Sequence, residues 1–401
     1  MIFLFFNLRK SEASLFRIGG AKMKKLMNRI KKQADRRELT FPDIERKTGV
    51  DRVVITDAVS GKTSEMKFDK YLPVVSILFE DTEERKSILN EFIMLCRGDL
   101  NIRKALCYCQ GIGEYEVIDK LIEKHQKNKK LIKYFKIYEL YNLRNQNKKR
   151  GQLMIDEMDE ISFSSDSEIQ VLVNMLYSFS MYDIFNYRAM LPYTDKVEKN
   201  LNEINKGFIK SCLEMHYNDR IAYINLFNED VAVCRKKCEE ILNSDIEVPV
   251  IKATALCCLG ESFLFTDVLK AEKYLLESLK YLEDNGISKN GRKYKSFQST
   301  LAFLYIDNGF NLDKIDFTSI DTSEIAYYEG LYGDKEKALK MFEELAKERK
   351  FVSPFIMYYI SRINNDILGL REALKRFERV GNYHYANAVK RILASTEERV
   401  G

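Results

Sequence analysis

The chemistry this sequence can offer is recognition rather than bond making. Its three histidines, His125, His216 and His384, stand at no metal-ligand or nucleophile–base spacing. The stretch GIGEYE from Gly111 lacks both the third glycine and the preceding strand of a phosphate loop. MIDEMDE, at 154–160, reads as the solvated start of a helix. The eight cysteines, including CYC at 107–109 and CC at 257–258, have no zinc-finger spacing. They read as free core thiols of a reducing, cytoplasmic compartment. No metal or cofactor is implied, and an enzyme is not expected.

Side-chain type and spacing agree best in LTFPDIERKTGVDRVVITDAVSGKT, from Leu39 to Thr63. Here Arg52, Val53 and Thr56 sit at the start of a short helix, where they would meet base edges. Lys24, Lys25, Arg29, Lys62 and Lys67 would neutralise phosphates around them. Asp51 and Asp57 bring carboxylates to the same surface.

The elements that must position these groups are helices. Leu26, Met27, Ile30 and Ala34 form the apolar stripe of a first helix. Thr40 is placed to cap a second, with Pro42 in its first turn and Ile44 inward. Gly49 permits the left-handed turn, and Asp51 caps a third helix with Val54, Ile55, Ala58 and Val59 as its buried face. Ser60-Gly61 closes it, and FDKYLPVVSILF adds one or two short helices. This is helix-turn-helix spacing. Residues 23–70 carry 13 Lys/Arg against 8 Asp/Glu, whereas the chain as a whole is only +5. A basic head on a near-neutral body suits a polyanion partner.

From about Thr82 onward the sequence is a succession of amphipathic helices with short breaks and no alternating strand pattern. With 45% apolar residues, 5 prolines and 18 glycines, a large helical core is within reach. Ala338 and Phe342 recur as Ala373 and Phe377, 35 residues later. Ala271 lies 67 residues before Ala338, and Cys238 another 33 before that. A period near 34 is that of tetratricopeptide repeats, here without the tryptophan of their consensus. The basic, aromatic-rich segment Glu123–Arg150 reads as a solvated helix pair with its rings in the core. The expectation is an all-α chain: a helix-turn-helix domain over 23–80, then a degenerate tetratricopeptide-like superhelix over 81–401. Stacked helix pairs leave a groove suited to an extended peptide. The last helices, REALKRFERV through ANAVKRIL, keep an unsatisfied stacking face for a second copy.

The opening MIFLFFNLRK is too short to span a membrane and has no basic n-region. RIGGAKM, with Gly-Gly just before Met23, reads like a translated ribosome-binding site. Residues 1–22 are therefore expected to be an untranslated or disordered extension.

NEDVAVCRKKCEEIL, GESFLF before AEKYLLESL, TLAFL at 300–304 and SEIAYYEGLYGDKEKA at 323–338 resemble, in order and spacing, the arbitrium receptors (AimR) of Bacillus temperate phages. The resemblance covers roughly Tyr71 to Leu393. It implies a dimeric activator of transcription, bound to an operator in double-stranded DNA and released by a short phage-encoded peptide that favours lysogeny. It also implies a peptide site. Leu264 and Phe303 fall on apolar pocket positions, and Glu324 on the acid that holds an arginine of the peptide. Tyr223 and Phe227 replace asparagines that clamp the peptide backbone, with Asn225 and Asn228 beside them. Glu261 replaces another clamp asparagine. Lys252 is the cation nearest the place of an arginine that meets the peptide carboxylate. Asn382 replaces an aspartate, with His384 close by. A divergent, more cationic peptide is the expected ligand. The rival reading is a repeat protein that sequesters another protein without touching DNA.

Overall fold

Side-chain chemistry at Thr40 starts a helix. In the computed structural model, which describes residues 20–349 and 352–400, Thr40 Oγ1 accepts from Asp43 N at 3.3 Å. Asp43 in return accepts from Thr40 N at 2.9 Å, a reciprocal cap that satisfies two donors at once. Helix Phe41–Thr48 follows and buries Ile44. Gly49 ends it at φ 66°, a left-handed conformation that a side chain would resist. Asp51 then accepts from Val53 N at 2.7 Å and opens helix Arg52–Ser60. Of the four residues expected on the buried face of that helix, only Ile55 and Ala58 are buried. Val54 is exposed and Val59 half-buried. A helix this short has one inward stripe, at i and i+3, and Val54 is a third of a turn away from it.

A helix over 20–36 precedes this pair and buries Met23, Leu26, Met27, Ile30 and Ala34. Residues 20–22, expected to belong to a disordered extension, are its first turn. Residues 1–19 lie outside the described residues.

Two compact units divide the chain: residues up to Gln110 with Glu114–Tyr138, and Gly111–Gly113 with Glu139 onward. Residues 81–110 and 114–138, expected to open the repeat body, thus group with the head. The reason is visible at the join. Asn101 accepts from Phe68 N and donates to Met66 O, both at 2.9 Å, while Glu65 accepts from Arg97 N at 2.8 Å. Tyr71 stacks on Phe92 with ring centres 3.9 Å apart. FDKYLPVVSILF forms a single helix, Phe68–Leu78, with Pro73 inside it.

The second unit is a superhelix of helix pairs. Ser167–Asp183 packs on Leu191–Glu203, Phe208–Phe227 on Val231–Leu242, and Pro249–Glu261 on Val268–Asp284. Arg292–Asn308 leads to Thr322–Tyr332 with Lys335–Arg349, then Pro354–Asn364 with Ile367–Val380, and finally Tyr383–Val400. The register residues Cys238, Ala271, Ala338, Ala373, Phe342 and Phe377 are all buried, as the 34-residue period requires. Helices approach closely at such small residues. At Gly260 a Cβ would stand 2.7 Å from Leu275 Cγ. Among the described residues no strand occurs, and no helix is long and apolar enough to cross a membrane.

The final helix does more than end the stack. It packs on Phe208–Phe227 as well as on Ile367–Val380. Arg391 donates to Phe265 O at 3.1 Å, and Arg188 donates to Glu378 O at 2.7 Å. Ala386, Val389 and Leu393 of this helix are buried within this chain.

Candidate functional site

Seven segments of the superhelix bring polar groups into an aromatic interior. Phe208–Phe227 supplies Tyr223 and Phe227. Pro249–Glu261, buried at every residue, ends in Glu261. The turn after it supplies Leu264 and Phe265, Arg292–Asn308 supplies Phe303, and Thr322–Tyr332 supplies Glu324. Tyr359 and Tyr385 come from the last two repeats.

Glu261 is buried although it carries a carboxyl. Tyr223 Oη donates to its Oε1 at 3.2 Å, and Cys257 Sγ lies 3.7 Å from the same oxygen. Burial pushes the carboxyl up to about 7 against the pull of the Tyr223 bond, and Lys293 acts on it only as a more distant charge. Lys293 is itself driven down to about 7 by burial and reaches Thr254 Oγ1 at 3.0 Å. The Glu261 carbonyl oxygen lies 3.1 Å from His384 Nε2, while His384 Nδ1 lies 3.2 Å from Glu229 Oε1. Both ring nitrogens therefore face oxygen acceptors. Glu229 adopts φ 65°, which turns the chain after Phe208–Phe227. The His384 contact holds the Glu229 carboxyl below its usual range.

Glu324 is the second buried acid. Tyr359 Oη donates to its Oε1 at 3.0 Å, and Ser323 Oγ lies 3.0 Å from its Oε2. Burial, and after it the charge of Asp321, push this carboxyl up to about 7. Phe303 lies beside the ring that supports Glu324, its centre 6.1 Å from Tyr359, and also 6.4 Å from Phe265 and 6.0 Å from Tyr385. Neither Glu261 nor Glu324 has an ion-pair partner among the described residues. A desolvated carboxylate without a cation is costly, and a guanidinium or ammonium from outside would relieve it.

Of the residues predicted for this site, Tyr223, Phe227, Glu261, Leu264, Phe303, Glu324 and His384 gather here. Four do not contribute in the expected way. Asn225 spends its amide on Ile221 O of its own helix, at 2.8 Å. Asn228 is exposed at the end of that helix. Lys252 pairs with Glu247 at 3.4 Å, two and a half turns before Glu261. Asn382 is buried and caps the final helix, accepting from Tyr385 N at 3.3 Å.

Tyr182, Tyr187, Arg220, Phe265, Tyr359 and Tyr385 escaped the sequence reading. Arg220 is pinned by Asp219 at 2.7 Å and lies 5.2 Å from the Tyr223 ring centre, so it fixes that phenol from behind. Tyr187 packs on Phe227 with centres 4.4 Å apart. The abundance of tyrosine, 23 residues, was the available signal, but not which of them meet.

In the head, Arg52 and Val53 are exposed at the start of their helix, as are Lys24, Lys25 and Lys67. Thr56 Oγ1 donates to Arg52 O at 2.8 Å, so its hydroxyl is engaged within the helix. Lys62 pairs with Asp57 at 3.2 Å, and Arg29 with Glu91.

A family model described as AimR transcriptional regulator-like matches residues 85–393. An uncharacterized protein of Bacillus anthracis is 25% identical over 252 residues, spanning 61% of this chain and 93% of that protein. Among solved structures, that of phAimR-Ligand superposes with a TM-score of 0.71 at 19% identity, covering 82% of this chain and 96% of the other. The structure of selenomethionine phAimR gives 0.64 at 18% identity, covering 94% and 97%.

Proposed function

This chain belongs to the AimR transcriptional regulator-like family, and we propose that it is a peptide-gated, DNA-binding regulator of a phage lysis–lysogeny decision in the bacterial cytoplasm. A homodimer holds two helix-turn-helix heads at a fixed half-site spacing on an operator. The peptide-free form activates its target promoter. A short cationic peptide enters the superhelix and biases it toward a state whose heads lose register, through its differential affinity for the two states.

One observation carries the ligand side of this reading: two buried carboxyls, Glu261 and Glu324, share an aromatic interior and, among the described residues, face no cationic side chain within pairing distance. The solved structure of phAimR-Ligand, of the same superhelical fold, is a protein with a ligand, which supports reading the interior as a binding site. The test is calorimetry of the full chain with a synthetic peptide encoded by the reading frame next to its gene. Saturable binding that Glu324→Gln weakens is expected; no heat with any adjacent-frame peptide counts against the reading.

The second reading, a repeat protein that sequesters a partner, draws on the head. Thr56, Lys62 and Arg29 are engaged by the protein's own groups. Charge reversal at Arg52 separates the two, since only a DNA reader loses its promoter by it.

A further inference from the structure

Three of the eight cysteines converge. Cys234 and Cys238 are one turn apart on helix Val231–Leu242, so both sulfurs leave the same face. That face meets Cys258 on helix Pro249–Glu261. Cys234 Sγ lies 3.6 Å from Cys258 Sγ, and all three sulfurs lie within 4.8 Å of one another. All three residues are fully buried, among Leu226, Ile241 and Leu259. No other such group of possible ligands forms among the described residues. Cys212, Cys107 and Cys109 are just as buried without joining one, so burial alone does not gather thiols.

We propose that Cys234, Cys238 and Cys258 form a three-sulfur site for a thiophilic monovalent ion, Cu(I). Sulfurs bound to one small ion stand roughly 4 Å apart, given metal–sulfur distances of about 2.3 Å, and this triangle already has that size. An all-thiolate donor set selects soft ions. Structural zinc almost always takes four ligands. Here no imidazole or carboxylate among the described residues joins the three buried sulfurs. Trigonal coordination by sulfur alone fits Cu(I). Binding replaces thiol protons by the metal and releases them to solvent, with no change of oxidation state. The ion would tie Val231–Leu242 to Pro249–Glu261, three residues before Glu261. This inference stands whether or not the interior takes a peptide.

The test uses the full-length chain, reduced and free of oxygen, titrated into the Cu(I)–bicinchoninate complex. The chain is expected to withdraw one equivalent of Cu(I). Cys238→Ser and Cys258→Ser should each lower the affinity by about tenfold or more, and Cys212→Ser should leave it unchanged. X-ray absorption on the loaded, unsubstituted chain should find three sulfur neighbours and no nitrogen or oxygen, which keeps the site testable if a variant fails to fold. Failure to compete with the chelator, or equal uptake by the triple serine variant, overturns the site. Retention of Zn(II) in preference to Cu(I), or a nitrogen neighbour, overturns the ion.

Discussion

Tyr223 Oη and Glu261 Oε1 are joined by a 3.2 Å hydrogen bond that links two successive repeats inside the superhelix. One neutral donor does not offset the cost of removing a carboxylate from water. The carboxyl therefore keeps its proton to about 7. The same holds at Glu324, where Tyr359 plays the part of Tyr223.

Glu261→Gln should reveal this by linkage. The folded carboxyl titrates at about 7, above the ordinary 4.5 of the unfolded chain. Its contribution to stability is complete below the unfolded value and is lost as pH rises through the folded one. The loss is about 3 kcal/mol at most. His216 works in the opposite sense, since burial lowers its ring to about 4 and its contribution is lost as pH falls. The comparison is therefore between variant and parent. In thermal or urea unfolding, the advantage of Glu261→Gln should widen from about pH 5 to about pH 7 and then stay constant. A constant difference throughout contradicts the assignment.

A cationic ligand at Glu324 must displace the proton. Below about pH 7, affinity for an arginine-bearing peptide should fall by up to about tenfold per pH unit. Glu324→Gln should bind more weakly at pH 8 and show a shallower pH dependence. Tyr359→Phe removes the donor and should push the titration higher, which calorimetry across pH would register.

Gly260→Ala tests the packing beneath the site. Alanine favours helix over glycine by up to about 1 kcal/mol, but its Cβ would stand 2.7 and 2.9 Å from Leu275 side-chain atoms and 3.2 Å from Ala271 O. Net destabilisation of about 1–3 kcal/mol is expected from chemical unfolding. A neutral or stabilised variant would mean the two helices can part.

Much of the fold was legible because it depends on local chemistry. Thr40, Gly49 and Asp51 marked helix ends through their own hydrogen bonds and dihedrals, and the small residues at 238, 271, 338 and 373 marked the repeat period. What failed depends on three-dimensional neighbours. Val54 is as apolar as Ile55, but only the fold decides which faces inward. The unit boundary moved past 80 because Asn101 and Phe92 reach back to Phe68 and Tyr71. In the site, Glu261, Glu324 and His384 were found through a resemblance. Tyr359, Tyr385 and Arg220 act by meeting residues from other repeats, which no spacing reveals. The three converging thiols are a similar case, since Cys258 lies on a different helix from Cys234 and Cys238.

For the head, Arg52→Glu should abolish specific retention on DNA. Lys67→Ala should weaken binding to all sequences and lower the salt slope by about one. Asp57→Asn frees Lys62 from its 3.2 Å ion pair and should tighten binding. Fluorescence anisotropy over a range of salt concentrations separates these effects.

The most direct measurement is retention of sheared DNA carrying the protein's own gene, by the full-length chain, with and without the synthetic peptide encoded beside that gene. The account predicts enrichment of one locus without peptide and its loss when peptide is added. No enriched locus, or enrichment that the bound peptide leaves unchanged, would contradict it.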